Sequence, residues 1–176
     1  MKIFNLIRKN RLKIMESATT GIEKVFIGAD HAGYELKEIL KKHLENYKVA
    51  VEDLGPYSTD KVDYPDYAVK VAQAVVKAGD DNKNLGVLVC GSGIGISIAA
   101  NKVKGVRCGL CHDHYTALMS RSKDYCNVVA VGGRVIGPEV AKQIVDVYLT
   151  TKPETDESYK RRVEKLAEIE KENLKV

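Results

Sequence analysis

No stretch of this sequence approaches the roughly 20 consecutive apolar residues needed to cross a bilayer, so no membrane-spanning helix is expected. Prolines number only four in a chain of 176 residues that is 44% apolar and 30% charged. Neither a collagenous nor a disordered composition fits, and the length suits one globular domain. Acidic residues are missing from the first fifteen positions, where Lys2, Arg8, Lys9, Arg11 and Lys13 stand. Those five charges exceed the whole net charge of +4, which leaves the remainder near −1. Basicity is therefore a property of the leader, and no nucleic-acid surface is expected on the body. The leader reads as a disordered tail or an over-long start ahead of Met15, before a targeting segment. Its apolar core of Ile3, Phe4, Leu6 and Ile7 is too short for a secretory signal.

Cysteine is also scarce. Cys90, Cys108, Cys111 and Cys126 lie in or beside apolar runs of a chain long enough to need no staples, which points to a reducing, cytoplasmic setting. Cys108 and Cys111, followed by His112 and His114, raise the question of a metal or redox site. Along a strand, however, side chains three apart point to opposite faces, and no metal is expected there.

What is present from Lys24 onward is an alternation of short apolar runs with segments of helical period, the pattern of a parallel sheet flanked by helices. The runs predict strands over 25–29, 49–54, 85–90, 106–111 and 127–131. The intervening periodicity predicts helices over 34–47, from Asp63 or Tyr64 to 78, and over 96–101, 113–122 and 138–150. A charged last helix, over 157–174, carries Val163, Leu166 and Ile169 as a narrow apolar stripe suited to docking. On the first helix Lys37, Glu38, Lys41 and Lys42 read as a solvated face, and His43 as a surface residue.

In open parallel sheets ligands bind at the carboxyl ends of the strands. Those ends here are Asp30-His31, Cys90-Gly91-Ser92-Gly93-Ile94-Gly95, His112-Asp113-His114 and Gly132-Gly133-Arg134. The glycine loop joins the most apolar strand to a helix start, a place rich in unpaired N–H groups that attracts an anion, whether a bound phosphate or an oxyanion formed during reaction. A thiol placed there, Cys90, is favoured as thiolate and can serve as base or nucleophile. The alternative is an ordinary buried cysteine ending a core strand. A nucleoside-triphosphatase loop would need Lys-Ser or Lys-Thr after the glycines, where Ile96-Ser97 stands, and a cysteine phosphatase would need an arginine there. A dinucleotide fingerprint is closer, with Asp113 in place downstream, but Ile96 occupies its sixth position. Asp30 and His31 suit sugar hydroxyls or proton movement, and Arg134, Lys160, Arg161 and Arg162 could grip phosphate.

Gly28-Ala29-Asp30-His31-Ala32-Gly33, Asp63-Tyr64-Pro65 and the run from Cys90 to Lys102, continued by Gly105-Val106-Arg107 and Tyr115-Thr116-Ala117, are jointly specific. Over about 24–170 the chain resembles the ribose-5-phosphate isomerase B family of sugar-phosphate isomerases, which includes allose and galactose phosphate enzymes. The resemblance implies a three-layer α/β/α sandwich with a five-stranded parallel Rossmann-like sheet and a C-terminal helical arm. It also implies a homodimer or dimer of dimers, a site shared between subunits, and no metal or organic cofactor. Residues 1–22 would be a basic extension, 23–152 the catalytic domain and 153–176 a helix packing on the domain or a partner subunit. Cys90 would move a proton between C1 and C2 of the open-chain sugar, and the loop of Gly91, Ser92, Gly93, Ile94 and Gly95 would hold the enediolate. Asp30, His31 and Tyr64 would meet the sugar or its phosphate, and Arg134 and Arg162 the phosphate. The implied reaction is ribose 5-phosphate to ribulose 5-phosphate; a non-catalytic sugar-phosphate or nucleotide binder is the alternative. Two places depart from the family pattern. Lys123 and Asp124 stand where the family has the ring-opening His and a substrate-touching Asn, and Ser158 where it has an Arg. Lys123 could act as acid only if its pKa were lowered toward neutrality. His31 or His114 could serve instead.

Overall fold

Each apolar run ends up as a strand in the computed structural model, which describes residues 21–47, 49–79 and 82–174. The expected N-terminal extension lies almost wholly outside the described residues. In chain order the elements are β1 (Lys24–Ala29), α1 (Tyr34–Leu44), β2 (Ala50–Asp53), α2 (Tyr64–Ala78), β3 (Asn84–Cys90) and α3 (Ile94–Ala100). They continue with β4 (Cys108–Leu110), α4 (His114–Ser122), β5 (Val128–Gly132), α5 (Pro138–Thr150) and α6 (Glu157–Asn173). The strands form one parallel sheet in the order β2-β1-β3-β5-β4. Among the described residues no helix is long and apolar enough to cross a membrane.

The period-two alternation along each strand divides the core into two layers. Val25, Ile27 and Ala29 of β1 and Leu85, Val87 and Val89 of β3 pack against α1 and α5 through Leu36, Leu40, Ile144 and Tyr148. Phe26, Leu88 and Cys90 point the other way, onto Ala68, Val71 and Val75 of α2 and Ile96 of α3. β3 is buried along its whole length, as a strand covered on both faces must be. The three-layer sandwich implied by the sequence is the architecture observed.

Several local expectations are corrected. Lys37 does not lie on a solvated face: its side chain is 0% exposed, and its ammonium donates to both Asp53 carboxylate oxygens (2.7 and 2.8 Å) and to the Pro56 carbonyl (2.8 Å). Burial alone would raise the Asp53 carboxyl, but hydrogen bonds from Lys37 and Lys41 carry it below its ordinary value. His43 is likewise largely buried, with Nε2 2.5 Å from Asp146 Oδ1, an atom that also accepts from the Tyr47 hydroxyl. β4 is only three residues long, and α3 starts at Ile94 rather than Ile96, which brings Gly95 into its first turn. The stripe on α6 remains half exposed at Leu166 and Ile169, while Glu170 of the same helix accepts from the Gly105 N–H at 2.8 Å.

Candidate active site

β1 and β3 are neighbours, yet the chain leaves β1 for α1 in one outer layer and leaves β3 for α3 in the other. A crevice must open between the two strand ends, which is the general location of ligand sites in open α/β sheets. A cleft of about 410 Å³ lies there, lined by Asp30, His31, Ala32, Tyr64, Cys90, Gly91, Ser92, Gly95, Arg134 and Val135. A roomier cavity of about 520 Å³, between the α5–α6 connection and Lys83, holds no thiol or imidazole.

Cys90 ends β3 and is 4% exposed, with its sulfur accepting from the Gly93 N–H at 3.0 Å. That bond fixes the sulfur at the head of the glycine loop. Gly93 reaches it through a left-handed backbone (φ 80°) that a Cβ would strain and would drive to 2.4 Å from Leu110 Cδ1. Gly91 and Ser92 donate to no main-chain oxygen among the described residues. The first helical bond of α3 runs from Ser97 N–H to the Gly93 carbonyl, so the amides of Gly95 and Ile96 precede any helical partner. Ser92 Oγ accepts from Ile94 N–H at 3.3 Å. Ile94 contributes through its main chain, its side chain being exposed.

The neighbours converge on this loop for identifiable reasons. Pairing of Cys90 with Gly132 in the sheet brings Gly133 and Arg134 alongside, with Arg134 N–H donating to the Gly91 carbonyl at 2.9 Å. A Cβ on Gly91 would sit 3.8 Å from Arg134 Nε, which places the guanidinium stem over the loop. Tyr64 lies against Gly95 so closely that a Cβ there would meet the ring at 2.7 Å. Asp30 Oδ1 accepts from Gly33 N–H at 2.9 Å and shapes the β1–α1 turn. His31 Nδ1 lies 3.1 Å from the Val62 carbonyl and 3.3 Å from the Val62 nitrogen, so either tautomer makes one bond to that main chain.

The sequence therefore pointed to eight residues that one chain brings together in the cleft: Asp30, His31, Tyr64, Cys90, Gly91, Ser92, Gly95 and Arg134. Ala32 and Val135 were not singled out as site residues, being small or apolar neighbours of residues that were. His112, named among the strand ends but given no role, is a neighbour of the loop: its Nε2 reaches the Ser92 carbonyl at 3.3 Å.

Lys123, Asp124 and Arg162 lie outside this cleft. Lys123 Nζ stands 4.7 Å from the centre of the Tyr159 ring, and the hydrogen bond to Tyr159 raises its pKa, the direction opposite to the one a proton donor near neutrality needs. The remaining thiols differ from Cys90. Cys108 and Cys111 belong to opposite faces of the sheet, and burial pushes the Cys126 thiol up to about 12. No group of three metal-ligating side chains occurs among the described residues.

A thiol, main-chain donors, an imidazole and a guanidinium around one crevice are the parts of a proton-transfer site with an oxyanion cradle. The model of the ribose/galactose isomerase family matches residues 25–166. The chain belongs to that family. Membership makes it an aldose–ketose isomerase. It is 43% identical over 149 residues to ribose-5-phosphate isomerase B of Escherichia coli (strain K12), covering 85% of this chain and 97% of the relative. D-erythrulose-4-phosphate isomerase of Pectobacterium atrosepticum is 41% identical over 129 residues, covering 71% and 81%. Among solved structures, ribose-5-phosphate isomerase B of Mycoplasma genitalium with bound ribulose-5-phosphate superimposes with a TM-score of 0.80 at 40% identity, covering 85% of this chain and 97% of that one.

Proposed function

We propose that this isomerase interconverts ribose 5-phosphate and ribulose 5-phosphate through an enediolate, with Cys90 as the base. The observation that carries the reading is the Gly93 N–H on Cys90 Sγ beside amides that have no main-chain partner. The open-chain aldose sits with its C1 carbonyl oxygen on the loop amides. The Cys90 thiolate takes the proton from C2, and the electron pair released moves through C1 onto that oxygen. Donors already in place stabilise the charge as it forms, without reorganising. A proton passes from the C2 hydroxyl to O1, the Cys90 thiol returns its proton to C1, and the ketose results.

Ring opening needs a proton shuttle as well. His31 takes that role: its Nδ1 is tied to the Val62 main chain, which leaves Nε2 to meet the sugar. Asp30, Tyr64 and Ser92 hold the hydroxyls, and Arg134 offers a charged fork at the rim. Ile94, Ile98 and Tyr115 are half exposed or more, and a second copy of the chain covering them makes a homodimer whose site draws on both copies.

The five-carbon substrate is supported by the ligand of the Mycoplasma relative, whereas the Pectobacterium relative is named for a four-carbon ketose. Ketose–aldose conversion measured across erythrulose 4-phosphate, ribose 5-phosphate, allose 6-phosphate and galactose 6-phosphate decides between them. The expected result is the highest kcat/KM on ribose 5-phosphate, by at least about tenfold, equivalent to about 1.4 kcal/mol of transition-state binding. Binding of these compounds with no turnover of any would mark a non-catalytic binder and overturn the assignment.

A further inference from the structure

One imidazole beside the active-site loop has no part in the proposed proton transfers. His112 follows β4, which pairs with β5 as far as Leu110 and Ala130, and Cys111 N–H donates to the Ala130 carbonyl at 2.9 Å. The ring therefore stands at the same carboxyl edge as Cys90, with β5 between their two strands. Gly132 ends β5, and a Cβ on it would come 2.6 Å from the Ser92 carbonyl oxygen. Lacking that Cβ, the strand end lets the Ser92 carbonyl lie directly on it, where His112 Nε2 donates to that oxygen at 3.3 Å. A carbonyl only accepts, which fixes a proton on Nε2, and both the neutral ring and the imidazolium make the bond.

The acceptor of that bond and the donor to Cys90 are the two ends of one peptide group. Ser92 C=O and Gly93 N–H belong to the same trans peptide, so they point in opposite directions, one at His112 and the other at Cys90 Sγ, 3.0 Å away. Gly93 has no Cβ and tolerates either sign of φ, so its own backbone preference does not hold this peptide one way round. Turned over, the group would aim its carbonyl oxygen at the sulfur and leave no donor there. We propose that His112 is a positioning residue: its Nε2–H anchors the Ser92 carbonyl and so keeps the Gly93 N–H on the Cys90 sulfur. Hydrogen bonds at the two ends of one amide polarise each other, which strengthens both. His112 is not among the residues lining the cleft, so it acts through the loop and not on the substrate. Its effect on turnover rests on the proposed role of Cys90 as base, whereas the clamp on the peptide does not.

The test compares the full chain with His112→Phe, which keeps a flat ring but has no donor, and with His112→Gln, which returns an Nε2–H donor at similar reach. Two quantities are read: exchange of the Gly93 amide proton with D₂O, followed by nitrogen-15 NMR, and steady-state kinetics on ribose 5-phosphate. In His112→Phe the Gly93 amide is expected to exchange about tenfold faster and kcat to fall about tenfold, the order of one neutral hydrogen bond, with KM within about threefold of the parent. His112→Gln is expected to bring both quantities back to within about threefold of the parent. His112→Ala, smaller and equally without a donor, takes the place of the Phe variant if circular dichroism shows that Phe disturbs the fold. Gly93 exchange at the parent rate in the variant without a donor would overturn the proposal. So would faster exchange at unchanged kcat, or a loss of kcat that Gln does not restore, the mark of an imidazole that transfers a proton itself. A parent protein that turns over no sugar, with Gly93 exchange still governed by His112, would sink the isomerase reading and leave the clamp standing, so the two failures are distinguishable.

Discussion

Cys90→Ser is expected to lose about 10³-fold in kcat on ribose 5-phosphate, close to 4 kcal/mol of transition-state stabilisation, while folding and substrate affinity change little. The serine hydroxyl is nearly isosteric and can still accept from the Gly93 N–H, but it stays protonated at neutral pH and cannot take the C2 proton. Cys90→Ala is expected to fall at least as far. Steady-state rates on both variants, with circular dichroism as the folding control, check the expectation. A serine variant within tenfold of the parent rate would show that sulfur ionisation is not what the loop is built to use.

The second large effect concerns stability. Asp53→Ala is expected to destabilise the fold by about 3–5 kcal/mol, because it removes the carboxylate that holds the fully buried Lys37 ammonium at 2.7 Å. Lys37 would retain Glu38 at 3.0 Å, the Pro56 carbonyl and the rings of Tyr34 and Tyr57. Urea unfolding reads the loss as a lower midpoint at unchanged slope. The double variant Lys37→Met/Asp53→Leu is expected to recover most of it, since an apolar pair of similar volume removes the desolvation cost along with the attraction. The pH dependence has a definite sign. Asp53 is depressed in the folded state, so its contribution is present above the unfolded carboxylate range, near pH 4, and is lost as pH falls through the lower folded value. A loss below about 1 kcal/mol for Asp53→Ala would show that Lys37 does not depend on Asp53. The network also matters to the site, since the Gly55 carbonyl beside it accepts from Ala29 N–H, one residue ahead of Asp30 and His31.

Why Cys90 could be found from sequence while Lys37 could not is a matter of range. The cysteine, its glycine loop and the helix behind it are contiguous, and a fully apolar strand ending in small residues admits few other arrangements. Asp30-His31 and Arg134 follow their strands in the same way, and a parallel sheet carries all such ends to one edge. Lys37 falls in a charged stretch of α1 whose period reads as solvated, and the Asp53 that draws it inward is 16 residues away on another element. His43 finds Asp146 across 103 residues. Pairings of that kind depend on how helices pack over the sheet, which periodicity does not encode.

Element boundaries show the same limit on a smaller scale. Gly93 in a left-handed conformation caps α3 two residues earlier than the small-residue run suggests, because glycine tolerates both the positive φ and the close approach of Leu110. The two departures from the family pattern, at Lys123 and around Ser158, look independent along the chain. The fold makes them one feature, since Lys123 rests on Tyr159 beside the lost arginine position.

Hydrogen exchange at carbon is the most direct probe of the central claim, that Cys90 carries a proton between C2 and C1. Ribose 5-phosphate incubated with the enzyme in D₂O and followed by proton NMR should lose its C2 proton signal and yield ribulose 5-phosphate deuterated at C1, and Cys90→Ala should do neither. Exchange at C2 and ketose formation at the parent rate in Cys90→Ala would contradict it.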